Sequence, residues 1–250
     1  MTGGETRMPT SAANPYLPVT LPPAPVDPDS GLPLLWEEED YETGESNIHV
    51  LTDEILHVCL QAFFANQPDV QVFSNLNLLY TKHPDENTAP YISPDLMAVR
   101  PASPLPRELA SYRIGTHGPA PFLVAEVLSE RSYQQRDLRD KIEIYAKLGV
   151  AEYVVVDVTG RFLSERLMLR RLQPDRSWLE LRDRDGGVTS QTEFRLVVEA
   201  DGQLRVIDTS TGRKLIRPHE AESRARELER RVQQLEAELA RKKDAPQADQ

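Results

Sequence analysis

Three stretches of the chain carry ionisable residues where an apolar interior would otherwise be expected. Glu126 sits inside Phe122-Leu-Val-Ala-Glu-Val-Leu128, with apolar neighbours on both sides. A carboxylate in a buried strand is costly unless a cation or hydrogen-bond donors meet it. Asp95 follows Pro94 at the head of the apolar run Leu-Met-Ala-Val. In the segment 133–148, advancing about 100° per residue places Leu138, Ile142, Ile144, Tyr145, Ala146 and Leu148 on one apolar arc. Lys141 falls within that arc, and Asp137 lies one turn earlier, so an acid and a base face inward. Two carboxylates on neighbouring strands can bind a hard divalent cation such as Mg²⁺ or Mn²⁺. Such an ion activates water, and a nearby ammonium can orient that water or stabilise charge developing on a phosphate. Hydrolysis of a phosphodiester needs these parts and no organic cofactor. Each residue also has a plainer reading. Glu126 could reach water from a strand end, Pro94-Asp95 could mark a strand entry, and Asp137–Lys141 could be a packing pair at i,i+4.

The elements that must position these residues follow from pattern. Ser46 or Asn47 can cap a helix in which Ile48, Leu51, Ile55, Val58, Cys59, Ala62 and Phe63 recur at helical spacing; Pro68 stops it after Asn66. Residues 70–80 alternate as a half-buried strand, and Ile92–Val99 and Phe122–Leu128 predict two more. Between the last two, residues 101–121 form a long loop with five prolines. The helix over 133–148 closes at Gly149, and Glu152–Asp157 predicts a fourth strand. Strand, strand, strand, helix, strand is the order of an α/β mixed sheet flanked by helices. Short strands at 167–172, 178–182, 194–198 and 203–207 extend that sheet or add a small β layer.

The flanks differ in character. Residues 1–33 are rich in Pro, Gly, Ser and Thr and read as a disordered arm ahead of a domain over 34–215. Ala221, Ala225, Leu228, Val232, Leu235 and Leu239 alternate in steps of four and three, the a/d pattern of a coiled coil over 217–243. This pattern predicts a homodimer through the C-terminal helix, its plainer reading being a single solvated amphipathic helix, and a polar tail follows over 244–250.

Composition limits the possible functions. One cysteine excludes an internal disulfide framework and fits a reducing, cytoplasmic setting. No apolar run approaches the roughly 18 residues of a membrane helix, and no signal-peptide core is evident. The net charge of −11 opposes binding to nucleic acid, but the excess is localised. Residues 27–90 hold thirteen acids and one lysine, whereas residues 91–150 hold eight basic and seven acidic residues. His57, His83, His117 and His219 lack metal-ligand spacing, and no glycine-rich phosphate loop is present.

Three segments together resemble a known family. Pro94-Asp95-Leu-Met-Ala-Val, Phe122-Leu-Val-Ala-Glu126-Val-Leu-Ser129 and the string Asp137-Leu-Arg-Asp-Lys141 through Gly149-Val-Ala-Glu152-Tyr153 to Asp157 are similar to the Uma-two family. That family belongs to the PD-(D/E)xK class of restriction-endonuclease-like proteins. The resemblance covers about residues 35–215 and includes Gly44-Glu45-Ser-Asn-Ile-His49 and Val72-Phe-Ser-Asn-Leu. It implies a cytoplasmic, metal-dependent DNA endonuclease. Asp95 matches the motif aspartate and Glu126 the following acid, with the Val127 backbone carbonyl as a further ligand to Mg²⁺ or Mn²⁺. The usual lysine, two residues beyond the acid, is replaced by Leu128; the family supplies it from the following helix, which points to Lys141. Asp137, Glu45, His49 and Ser129 are secondary candidates. A second reading is a nuclease-like fold without turnover that serves as a DNA- or protein-binding module. The acidic N-terminal half and the displaced lysine favour it. A third is a structural protein in which Glu126, Asp137 and Lys141 form an inert polar cluster.

Overall fold

In the computed structural model the described residues are 26, 28, 31–32, 46–81, 90–129 and 140–244. Helix α1 (Asn47–Phe63) begins where Ser46 accepts a side-chain hydrogen bond from the His49 N–H, and it ends in a 3₁₀ turn (Phe64–Asn66) ahead of Pro68. Its Ile55, Leu56, Cys59 and Leu60 are buried against the sheet. By length and composition, Asn47–Asn66 does reach the size of a membrane span, contrary to the expectation from sequence. Its buried apolar face is nevertheless part of the core.

The strand expected over 70–80 is two strands, β1 (Gln71–Ser74) and β2 (Asn77–Leu79). Asn75 separates them with φ of 51°, a left-handed conformation that asparagine tolerates. The strand expected over 92–99 also divides, into β3 (Tyr91–Ile92) and β4 (Leu96–Val99), around Ser93-Pro94-Asp95. The two breaks lie together: the Asp95 carbonyl accepts from both the Asn75 N–H and the Ser74 hydroxyl. Within the loop expected over 101–121 lies a further short strand, β5 (Ser111–Arg113). There follow β6 (Leu123–Val127), α2 (Lys141–Leu148) and β7 (Glu152–Val156). The first half of the helix expected over 133–148 lies outside the described residues, so its observed start is Lys141. Gly149 closes it at φ of 86°, as a C-terminal glycine should.

Beyond these, β8 (Leu167–Leu172) and β9 (Trp178–Leu181) extend the main sheet. Its order is β1-β4-β6-β7-β8-β9, with β6 and β7 parallel and the other neighbours antiparallel. The chain is thus a mixed α/β structure around a six-stranded mixed sheet. A second sheet joins β10 (Val188–Thr189), β11 (Phe194–Val198) and β12 (Leu204–Asp208); a third has the order β3-β2-β5.

Alternation along the central strands assigns residues to two faces. Leu96, Ala98, Leu123, Ala125, Val127, Val154 and Val156 pack with α1 and the β10–β12 sheet. Met97, Val99, Val124, Tyr153 and Val155 pack with α2 and the third sheet.

Helix α3 (Pro218–Asp244) leaves the core through a polar anchor. Arg217, 1% exposed, donates to the Leu204 carbonyl and pairs with Glu199 and Asp201. Arg205 bridges Glu199 and Glu220, and its hydrogen bonds to Glu220 hold that carboxyl down at about 2. Leu228, Val232 and Leu235, three of the a/d residues, are 66%, 52% and 44% exposed. Of the arm expected over 1–33, the described Leu32 is buried, and the Gly31 carbonyl accepts from Lys147.

Candidate metal and catalytic site

The site forms where three elements meet: the start of β4, the end of β6 and the first residue of α2. β4 and β6 pair with Leu96 opposite Ala125, which sets Asp95 one step beyond that pair, beside Glu126 and Val127. The register is fixed by a side chain as well as by the ladder. Asp95 Oδ2 accepts the Val127 N–H at 2.6 Å. The N–H of Val127, whose carbonyl was expected as a ligand, therefore orients the aspartate.

Glu126 is 1% exposed and meets two donors from α2. Lys141 Nζ lies 3.1 Å from Oε2, and the Tyr145 hydroxyl donates to Oε1 at 2.7 Å. Lys141 is itself 5% exposed, so the ammonium and carboxylate form a buried pair. The helical arc explains this: Lys141 and Tyr145 stand four residues apart on one face, and Ile144 and Tyr145 pack into the core beside them. Leu128, where the usual motif lysine would stand, is buried in the same apolar cluster.

The helix that supplies the ammonium is held from its far side. Trp178 Nε1 donates to the Ile142 carbonyl at 3.2 Å. Arg176, at the β8–β9 turn, donates to the carbonyls of Ala146 and Lys147 at 3.1 and 2.6 Å.

His49, on the first turn of α1, approaches Asp95 from the other side. Its Nε2 is 3.9 Å from Asp95 Oδ2 and 3.2 Å from Asp53 Oδ2, one turn further along α1. One ligand atom from each of His49, Asp53 and Asp95 lies within 4.8 Å of the others. These carboxylate and imidazole donors suit a divalent ion. Asp95 is common to both groupings, so the acids of the sheet and the residues of α1 form one continuous polar site.

The structure thus places Asp95, Glu126 and Lys141 around one corner, with His49 adjoining. Ser129 follows β6, two residues past Val127 and partly exposed. Asp137 and Glu45 lie outside the described residues. Sequence reasoning missed Tyr145 and Asp53. Tyr145 lay in the predicted apolar arc and read as a core aromatic; its hydroxyl four residues after Lys141 was the available signal. Asp53 shares a helix face with His49 at i,i+4, which was also visible. Cys59 is not a nucleophile candidate: burial pushes its thiol up to about 11.

The described residues form a mixed α/β domain in which a strand carboxylate meets a lysine from the helix between β6 and β7. The chain belongs to the family described as "Uma2: Putative restriction endonuclease", whose model matches residues 34–194, more than half its length. Among solved structures, it is similar to a "putative nuclease belonging to DUF820" from Anabaena variabilis ATCC 29413. That likeness has 17% identity and a TM-score of 0.43, and covers 60% of this chain and 75% of the other. No curated protein matches the chain.

Proposed function

We propose that this protein is a divalent-metal-dependent endonuclease that hydrolyses DNA phosphodiester bonds, with Asp95, Glu126 and Lys141 as its catalytic residues. The supporting observation is the buried convergence of Lys141 and Glu126 at 3.1 Å beside Asp95. Membership of a restriction-endonuclease-like family agrees with it.

Asp95, Glu126 and the Val127 carbonyl would hold the ion, Mg²⁺ or Mn²⁺, which when bound supplies positive charge and an activated water. Tyr145 holds the Glu126 carboxylate in one orientation through its hydroxyl. Lys141 keeps a cation beside that carboxylate, where it would offset charge developing on phosphorus. The exposed a/d stripe of α3 pairs with a second copy, giving a dimer suited to two-strand cutting. The protein acts in the cytoplasm, a setting its single buried cysteine fits.

The test is cleavage of supercoiled plasmid with Mg²⁺, with Mn²⁺ and with EDTA. Wild type nicks or linearises only with metal, whereas Asp95→Ala, Glu126→Ala and Lys141→Ala do not. Undiminished cutting by Glu126→Ala refutes the assignment. The second reading, a DNA- or protein-binding module, draws on the ion pair that already satisfies Glu126 and on the acidic N-terminal half of the chain. Tight DNA or protein binding without metal-dependent cleavage would select it.

A further inference from the structure

We propose that His49, Asp53 and Asp95 form a ligand set for a divalent transition-metal ion, with the imidazole nitrogen selecting Mn²⁺-like ions over Mg²⁺. The proposal rests on the reading of Asp95 as a metal ligand and adds two ligands from α1 that the strand motif does not contain.

The argument begins with Asp53. Its side chain is 8% exposed, yet neither carboxylate oxygen accepts a hydrogen bond from any described residue. A buried carboxylate without donors is expensive, and cation ligation is one of the few ways to compensate it. Its Oδ2 lies 3.2 Å from His49 Nε2, close enough to pair with a protonated imidazole and close enough to share an ion with a neutral one. Asp95 completes the set. Its Oδ2 accepts the Val127 N–H at 2.6 Å, and the two oxygens of a carboxylate together offer about four lone-pair positions.

The spacing fits a shared ion. Ligands about 2.1–2.2 Å from a metal stand roughly 3 Å apart when adjacent and about 4.3 Å apart when opposite. All three donor atoms lie within 4.8 Å of one another, so small side-chain rotations bring them to that range. The scaffold is rigid where it matters. His49 and Asp53 are one turn apart on a helix capped by Ser46, and the Asp95 backbone is pinned by Ser74 and Asn75. The donor types then decide the metal. Mg²⁺ prefers oxygen and keeps most of its waters, whereas a neutral imidazole raises affinity for first-row transition ions. Asp95 is 15% exposed, which leaves the cluster an opening to solvent.

The experiment uses the full chain, stripped with EDTA and titrated with MnCl₂ by calorimetry. The Mn²⁺ complex is then examined by pulsed EPR for coupling to a ligand nitrogen. Wild type binds Mn²⁺ with ¹⁴N coupling and resists displacement by excess MgCl₂. His49→Gln abolishes the coupling, and His49→Gln and Asp53→Asn each weaken Mn²⁺ binding roughly tenfold or more. Mn²⁺ binding without ¹⁴N coupling in wild type overturns the proposal even if neither variant folds; so does failure to bind Mn²⁺. Unchanged affinity in both folded variants does the same. The nuclease reading is scored separately. Plasmid cleavage with no nitrogen-ligated Mn²⁺ keeps that reading and removes this one. A nitrogen-ligated Mn²⁺ in a protein that cuts no DNA does the reverse.

Discussion

Replacing Lys141 by methionine removes the ammonium while keeping an unbranched side chain of similar length, so packing is largely conserved. What remains is Glu126, 1% exposed, with the Tyr145 hydroxyl as its described donor from α2. At the observed 3.1 Å the lost attraction is about 5 kcal/mol for an effective dielectric of roughly 20. Measured penalties for removing one member of a buried pair run about 3–5 kcal/mol. For a domain of this size that corresponds to a fall of roughly 6–20 °C in Tm. Urea denaturation and thermal scans in EDTA measure it without reference to activity. The double variant Lys141→Met/Glu126→Gln provides the control, because a neutral amide can still accept the tyrosine hydroxyl. It should recover most of the loss, to within about 1–2 kcal/mol of wild type. A Lys141→Met protein as stable as wild type, within about 0.5 kcal/mol, would show that the ammonium and carboxylate do not form a desolvated pair. The placement of the lysine would then be wrong.

Two other expectations concern α3. Glu220 titrates at about 2 in the folded chain against an ordinary 4.5, chiefly through its hydrogen bond with Arg205. The stability it contributes is full above pH 4.5 and is lost as pH falls from there towards 2, so acid denaturation of wild type in that interval should be steeper than that of Glu220→Gln. The second expectation is that Leu228→Lys/Val232→Lys, which places charges on the exposed a/d stripe, converts a dimer to a monomer in analytical ultracentrifugation. An unchanged sedimentation coefficient would refute pairing through α3.

Much of the site was legible in the sequence because burial conflicts with charge. Glu126 stood out in an apolar strand, and the helical period turned Lys141 inward; the buried pair follows from those two facts. The first helix was equally plain, since Ser46, the apolar spacing and Pro68 mark its ends. The strand breaks were less visible. Residues 70–80 alternate only in outline, the pattern slipping at Val72-Phe73 and Ser74-Asn75, and the left-handed backbone at Asn75 divides them between two sheets. Asparagine permits that conformation without demanding it. Asp53 was passed over for a different reason. Its partners His49 and Asp95 come from one helix and one strand entry, and the second is 42 residues away in sequence. The Arg217 anchor was missed because a basic residue ahead of a polar helix reads as solvated surface; only tertiary structure encloses it among Leu204, Glu199 and Asp201.

A lysine two residues after the acid would be locked to it by the pleat of a single strand. Here the charge rides on α2, and its separation from Glu126 depends on how that helix is seated. The seat is set by Trp178 and Arg176, which grip the helix from the β8–β9 hairpin. A surface turn thereby becomes an adjusting screw for the ammonium. Changes at residues 173–177, which touch neither acid, would travel along the helix axis and reset the reach of Lys141.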